Sequence, residues 1–436
     1  MAQNIKAFRY LKKEKTKPSA EKYIFRSPFY RGFKDIPKHV FLRAILDNIV
    51  YHKHPHYSYH HHYHHEHEHH EHHDHEEHHH TDPKSLITED EVKQSLQADK
   101  GEEAELTSWE VVDFTKPGDN YSNYVTSIEV KYTLEDEEHE VVYIAKVNPC
   151  KKLEGFEELN HTFFEKEVKF YTELVPELNA ALEEAGKEPL QIPKFYHANL
   201  ETGTEQAYYE DLRARDFKMV DRIQSLDAAH TTLILKKAGG DEKAVNWLES
   251  LKPQAFEILG KPAEKEAFAA VNHGGLWSNN CLFRYNDDGE PEEVMLLDFE
   301  TCGYSSLAHD LNYLMYTSLT EEVRKEHFEE FMGTYTAAYQ EIIEAAGLEM
   351  PFNEEELTEE FRENNVVGAL FTVLTIPAVL LESGDLPDGA TIDGEMEEIL
   401  DEFWANIDEK IETSPTLKPR FLAIFEEFME SGLISE

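Results

Sequence analysis

The 436-residue sequence predicts an α+β fold in two lobes, β-rich then helical, behind a disordered His-rich extension. Three observations carry this. Period-two apolar alternation dominates from about residue 106 to Asp211. Helical spacing dominates after it, broken by one hairpin. Residues 51–80 hold 17 of the chain's 25 histidines, interleaved with Glu, Asp and Tyr, and cannot build a core.

The elements follow in order. Tyr124, Ile128, Val130 and Tyr132 alternate along 121–134, and the acidic turn 135–138 leads into a β-branched run at 140–147, which makes a hairpin. Residues 163–174 show helical spacing, with Phe164, Val168 and Tyr171 on one face and Pro176 as the expected stop. Strands are expected at 194–199 and 206–209. Helices are expected at 228–237, 241–251, 321–346, 354–381 and 394–413. Two short strands, 280–285 and 293–297, flank the turn Asp288-Gly289. The longest apolar run, 366–381, is too short to span a bilayer and contains Pro377, so it reads as a buried helix. The expected organisation is a basic extension (1–50), a His-rich and acidic low-complexity linker (51–104), a first lobe (105–211) and a helical second lobe (212–436).

Charge narrows the function classes. The formal net charge is −46, and residues 1–48 carry 12 Lys/Arg against 4 Asp/Glu, which leaves −54 for the remainder. Such a balance argues against nucleic acid and anionic membranes as partners, because both call for a basic face. Three scattered cysteines, Cys150, Cys281 and Cys302, describe no disulfide framework and suit a reducing, cytoplasmic setting. The first 30 residues lack the apolar core of a secretory signal, and Glu14 and Glu21 count against a mitochondrial presequence. Dense imidazoles beside carboxylates at 51–80 suit Zn²⁺, Ni²⁺ or Cu²⁺, although no fixed ligand spacing is present and a polar spacer is the plainer reading.

The chemistry concentrates in His273-Gly274-Gly275-Leu276-Trp277-Ser278-Asn279-Asn280, followed after 17 intervening residues by Asp298-Phe299-Glu300. An Asn amide and an Asp carboxylate at the ends of paired strands supply hard oxygen ligands for the metal that phosphoryl transfer needs. Alone, Asp298 also fits a strand-ending turn, Lys146 an exposed strand position and Gly118 an ordinary turn.

Taken together these segments resemble the ecdysteroid-kinase-like (CHK kinase-like) family, small-molecule kinases on the protein-kinase-like fold of choline kinases and aminoglycoside phosphotransferases. Besides the loop and Asp298-Phe299-Glu300, the run Tyr304-Ser305-Ser306-Leu307-Ala308-His309-Asp310-Leu311 is similar to the family's sequence. Upstream, Gly118-Asp119-Asn120-Tyr121-Ser122 resembles its phosphate-facing loop and Ala145-Lys146-Val147 its nucleotide lysine. The helix containing Phe164-Glu165-Lys166-Glu167 implies Glu167 as the lysine's partner, and Tyr209-Glu210-Asp211-Leu212 resembles the hinge.

The resemblance implies ATP and Mg²⁺ as cofactors and a small-molecule hydroxyl acceptor: a steroid, choline-like or xenobiotic compound. It implies that Gly118, Asn120, Ser122, Lys146, Glu167, Glu210 and Leu212 bind nucleotide, that Asn280 and Asp298 hold metal, and that His273 braces the loop. Two departures stand out. Gly275 occupies the position of the family's catalytic Asp, so a pseudokinase that binds nucleotide without transfer is the alternative reading. About 60 residues separate hinge from His273, fewer than the family pattern, and Lys236-Lys237-Ala238-Gly239-Gly240 replaces its usual His-Ala signature. Glu300 is the remaining carboxylate in the motif and, in an extended segment, would sit beside Asp298.

Overall fold

The computed structural model describes residues 82–114, 123–149, 156–221, 224–241, 266–365 and 414–430, together with a few positions between 368 and 380. The predicted two-lobed α+β architecture is what it shows. The expected helix at 241–251 beyond its first residue, the expected helix at 394–413, the His-rich tract and Cys150 lie outside the described residues. The run 366–381 is described only in part.

The first lobe is an antiparallel five-stranded sheet in the order β1-β2-β3-β5-β4, formed by β1 (Glu105–Val112), β2 (Tyr124–Leu134), β3 (Glu137–Val147), β4 (Phe195–Asn199) and β5 (Gln206–Glu210). The β2–β3 hairpin closes tightly, with Glu135 and Asp136 at φ of 53° and 65°. Two left-handed residues match the twist of the flanking strands. Alternation along β3 then divides its side chains: Tyr143, Ala145 and Val147 face one layer, while Ile144 and Lys146 face the other.

That first layer was not expected. Helix α1 (Glu89–Lys100) lies inside the stretch assigned from composition to a linker, and covers the sheet. Ile87, Val92 and Leu96 are buried against Ile128, Tyr143 and Tyr208. Thr88 caps its start, accepting from the Glu91 N–H, and Gly101 at φ 98° ends it. The caps were legible, but the charged and polar residues around it hid the short apolar stripe.

On the other face, α2 (Phe156–Lys169) runs into a π-helical turn, Phe170–Leu174, and continues as α3 (Val175–Glu184). Pro176 therefore does not end the helix. The wide turn, in which the Val175 N–H reaches the Phe170 carbonyl, passes the chain through a position where Pro has no N–H to give. It also presents Phe170 and Tyr171 to the second lobe.

The second lobe begins with a 3₁₀ turn, Leu212–Arg215, and β6 (Lys218–Met219), which pairs with the hairpin β8 (Cys281–Tyr285) and β9 (Pro291–Leu296). A second ribbon, β7 (Ala269–Asn272) with β10 (Gly303–Ser306), was not foreseen; four-residue strands give too short a period to read. Around these pack α4 (Ala228–Asp241), α5 (Ala308–Ser318), α6 (Glu321–Ala345), α7 (Glu354–Glu363) and α8 (Leu417–Glu430). One continuous core joins α2, the π turn and the second lobe through Phe164, Phe170, Leu235, Phe299 and Tyr335. In α4, Gly239 lets two helices approach: a Cβ there would stand 2.9 Å from the Tyr335 carbonyl oxygen of α6. Among the described residues no helix is long and apolar enough to cross a membrane.

Two outcomes follow. Leu96→Ala, which empties part of the α1–sheet interface, should lower the unfolding free energy by about 2–4 kcal/mol in denaturant titration. His309, 7% exposed with Nε2 facing the Asn364 side-chain oxygen, has its pKa pushed down to about 4 by burial. Its neutral form stabilises the fold above about pH 6.5, and that contribution is lost as pH falls toward 4. The loss should be on the order of 3 kcal/mol, and His309→Asn should remove that part of the slope.

Candidate active site

Four ionisable groups from three chain segments meet between the lobes. Lys146, near the end of β3 and in register with Val125 and Ala207, points its Nζ at three carboxylates. Glu167 Oε2 of α2 is at 2.5 Å, Asp298 Oδ1 at 2.6 Å and Glu300 Oε2 at 2.8 Å. Lys146, Glu167 and Glu300 are buried; the Asp298 side chain keeps 31% of its surface and marks the open side. The Lys146–Glu167 pair implied by the resemblance is therefore formed.

Backbone geometry explains the convergence. Asp298 adopts φ 67°, ψ 67°, a left-handed conformation that costs a non-glycine residue energy and turns the chain sharply after β9. A 3₁₀ turn, Phe299–Thr301, follows. The segment is thus not extended, yet Glu300 still comes back to the same ammonium as Asp298. Phe299 is held by Phe170, stacked at 4.2 Å, and by the His273 ring at 4.6 Å. Asn123, at the foot of β2, donates to Glu300 Oε2 at 3.0 Å.

Charge crowding sets the protonation preferences. Burial, reinforced by the Asp298 charge, pushes the Glu300 carboxyl up to about 7. Burial also raises Glu167, against the opposing pull of Lys146. Burial opposes the Lys146 charge, but Asp298, Glu167 and Glu300 outweigh it and hold the ammonium well above its ordinary value. Three carboxylates share one resident cation.

The loop 273–280 is braced from behind. Asp310 on α5 accepts from the backbone N–H groups of His273 at 2.6 Å and Gly274 at 2.9 Å. Gly274 has φ 80°, and a Cβ there would lie 2.2 Å from the Thr301 carbonyl oxygen, so glycine is required. His273 is buried and its pKa is lowered by that burial. Its neutral ring donates from Nε2 to the Leu297 carbonyl (2.8 Å), while Nδ1 faces the Gly275 N–H (3.3 Å). Both nitrogens are engaged, which fits a brace and not a proton shuttle.

Asn280 and Asp298 stand at neighbouring strand ends, joined by the bond from the Leu297 N–H to the Asn280 carbonyl at 2.9 Å. The Asn280 Nδ2 donates to the Gly275 carbonyl, also at 2.9 Å, which orients the amide. The three carboxylates, with ligand atoms within 4.8 Å of one another, are hard oxygen donors of the kind that suits Mg²⁺, and the Asn280 amide lies on the neighbouring strand end. Gly275 itself contributes no side chain. A Cβ there would meet Thr301 Oγ1 at 3.2 Å and Asn280 Nδ2 at 3.3 Å, tight but outside the left-handed region.

At the predicted hinge, Glu210 ends β5 with its N–H on the Lys194 carbonyl, and Leu212 is buried with Phe217 and Met295. Gly118, Asn120 and Ser122 lie outside the described residues. Cys281 and Cys302 are buried free thiols, as expected of small packing residues. Behind His273 and Phe299 an apolar cavity of about 40 Å³, lined by Phe170, Leu178, Ala238 and Val271, has room for roughly two or three waters. Sequence reading missed Asn123 and the triple attachment of Lys146; only the Asp-x-Glu spacing hinted at the latter.

No curated protein matches the chain. Similar solved structures include an ethanolamine kinase of Plasmodium vivax, 12% identical, with TM-score 0.36 over 77% of this chain and 87% of that one. A choline kinase from Cryptosporidium parvum is also 12% identical, with TM-score 0.35 over 79% of this chain and 98% of the other. The profile of the ecdysteroid kinase-like family matches residues 117–240 and 238–348, two blocks that meet at the glycines of α4 and together span both lobes of the site. The chain belongs to the ecdysteroid kinase-like family.

Proposed function

We propose that the chain binds ATP with Mg²⁺ between its lobes and transfers the γ-phosphoryl group to a hydroxyl of a small molecule of the steroid, choline-like or xenobiotic type. The observation that carries this is the buried cluster of Lys146 with Glu167, Asp298 and Glu300. Lys146, paired with Glu167, would hold α/β-phosphate oxygens, and the hinge around Glu210–Leu212 would meet adenine. Asp298, Glu300 and the Asn280 side-chain oxygen would hold Mg²⁺, which when bound supplies neutralisation of the phosphate charge. Asp310 and His273 keep the loop in place, so the acceptor hydroxyl would be positioned beside Gly275.

A specific observation favours a second reading. With Gly275 in place of a carboxylate, that loop position offers no side chain to take the acceptor's proton, and Glu300 is at best a poor substitute; losing a positioned base costs on the order of 10²–10⁴ in rate. Phosphoryl transfer relies more on positioning and charge than on the base. Slow transfer is therefore the primary proposal, and nucleotide binding without transfer is the alternative. We further propose a cytoplasmic setting, and divalent-metal uptake by the His-rich tract 51–80 through its imidazoles.

The test begins with binding. Mg·ATP at a hundredfold its dissociation constant should stabilise the protein by about 2.7 kcal/mol in thermal denaturation. Lys146→Ala should weaken the shift and Asp298→Ala should remove its Mg²⁺ dependence. In a screen of hydroxyl compounds, Gly275→Asp should raise phosphorylation roughly 10²-fold. No shift at millimolar Mg·ATP would contradict the proposal. Binding with a silent Gly275→Asp variant would select the non-catalytic reading.

A further inference from the structure

We propose that Lys146 is a built-in competitor of the metal ion. Its ammonium and a divalent cation use the same carboxylate cup in turn, so that nucleotide and metal bind synergistically. The inference deepens the proposed nucleotide-binding function and rests on it for its physiological meaning.

The geometry supplies the argument. Glu167, Asp298 and Glu300 each offer an oxygen, and these ligand atoms lie within 4.8 Å of one another. Lys146 Nζ sits among them, 2.5–2.8 Å from one oxygen of each carboxylate. A Mg²⁺-like ion bonds such oxygens at about 2.1 Å, so it and the ammonium would claim one volume and bring three positive charges together. They exclude each other. The lysine is free to leave because its charge rides on a flexible four-carbon stem.

The carboxylates also differ in a way that gives the exchange a direction. Glu167 is enclosed on α2, whereas Asp298 lies on the open side and Glu300, once Lys146 withdraws, keeps the Asn123 bond to the first lobe. Glu167 would keep the lysine while Asp298 and Glu300 pass to the cation. An anionic phosphate chain entering the cleft gives the ammonium a new partner, and the cation then takes the oxygens it leaves. By linkage, each ligand must raise the other's affinity by the same factor.

The cation alone must therefore bind weakly, and removing the ammonium must strengthen it. The experiment is a Mn²⁺ titration of the full chain without nucleotide, comparing wild type with Lys146→Met, which keeps an unbranched apolar stem of nearly the same length. The His-rich tract is common to both proteins and cancels in the comparison. Mn²⁺ should bind the variant at least tenfold more tightly; equal or weaker binding would overturn the proposal. A second measurement needs no variant: amine labelling of Lys146 in the wild-type protein, read by mass spectrometry, should rise several-fold at saturating Mn²⁺. Unchanged labelling would also overturn it. Neither readout uses ATP, so a failure here is distinguishable from a failure to bind nucleotide.

Discussion

One ammonium between three carboxylates is the constraint on which the rest of the site depends. Lys146 comes from the sheet, Glu167 from the helix packed against it, and Asp298 and Glu300 from the turn that follows β9 in the second lobe. Breaking a buried pair by removing one partner typically costs 3–5 kcal/mol, because the remaining charge is left without compensation. The same cluster therefore fixes how the lobes meet and concentrates negative charge where phosphates and their metal would arrive. The aromatic layer under it, with Phe299 between Phe170 and His273, carries that arrangement into the apolar core.

Much of this was written in local patterns. The β2–β3 hairpin, the helix with Glu167 and the Asn280–Asp298 hairpin were legible because alternation, helical spacing and turn residues are short-range signals. Lys146 and Glu167 could be paired only through the family resemblance, since 20 residues between them carry no periodic relation. What stayed hidden was long-range or conditional. Helix α1 hid in acidic composition, the β7–β10 ribbon was too short to show a period, and the continuation past Pro176 depends on a π turn that no local rule announces. Glu300 reached the site by another route than strand alternation, through the left-handed Asp298 and the turn after it.

The departures from the family pattern fall on one side of the site. The half proposed for nucleotide keeps Lys146, Glu167, Asp298 and Glu300. The half proposed for the acceptor lacks a carboxylate at Gly275, and the two blocks of the family match overlap at 238–240, where α4 crosses α6 through Gly239. The loop around Gly275 nonetheless remains tightly built, with Asp310, His273 and Asn280 all bonded to its backbone or its neighbours. A loop whose supports persist without a carboxylate at Gly275 accords with the proposed binding of nucleotide and metal with slow transfer or none.

The most direct test of the central claim is diffraction from crystals grown with Mn²⁺ and a non-hydrolysable ATP analogue, using the manganese anomalous signal. The account predicts manganese bonded to Asp298 and Glu300 at about 2.2 Å, with Lys146 Nζ moved onto a phosphate oxygen while still paired with Glu167. Nucleotide phosphates bound away from this cluster, or manganese elsewhere with Lys146 still held by all three carboxylates, would contradict it.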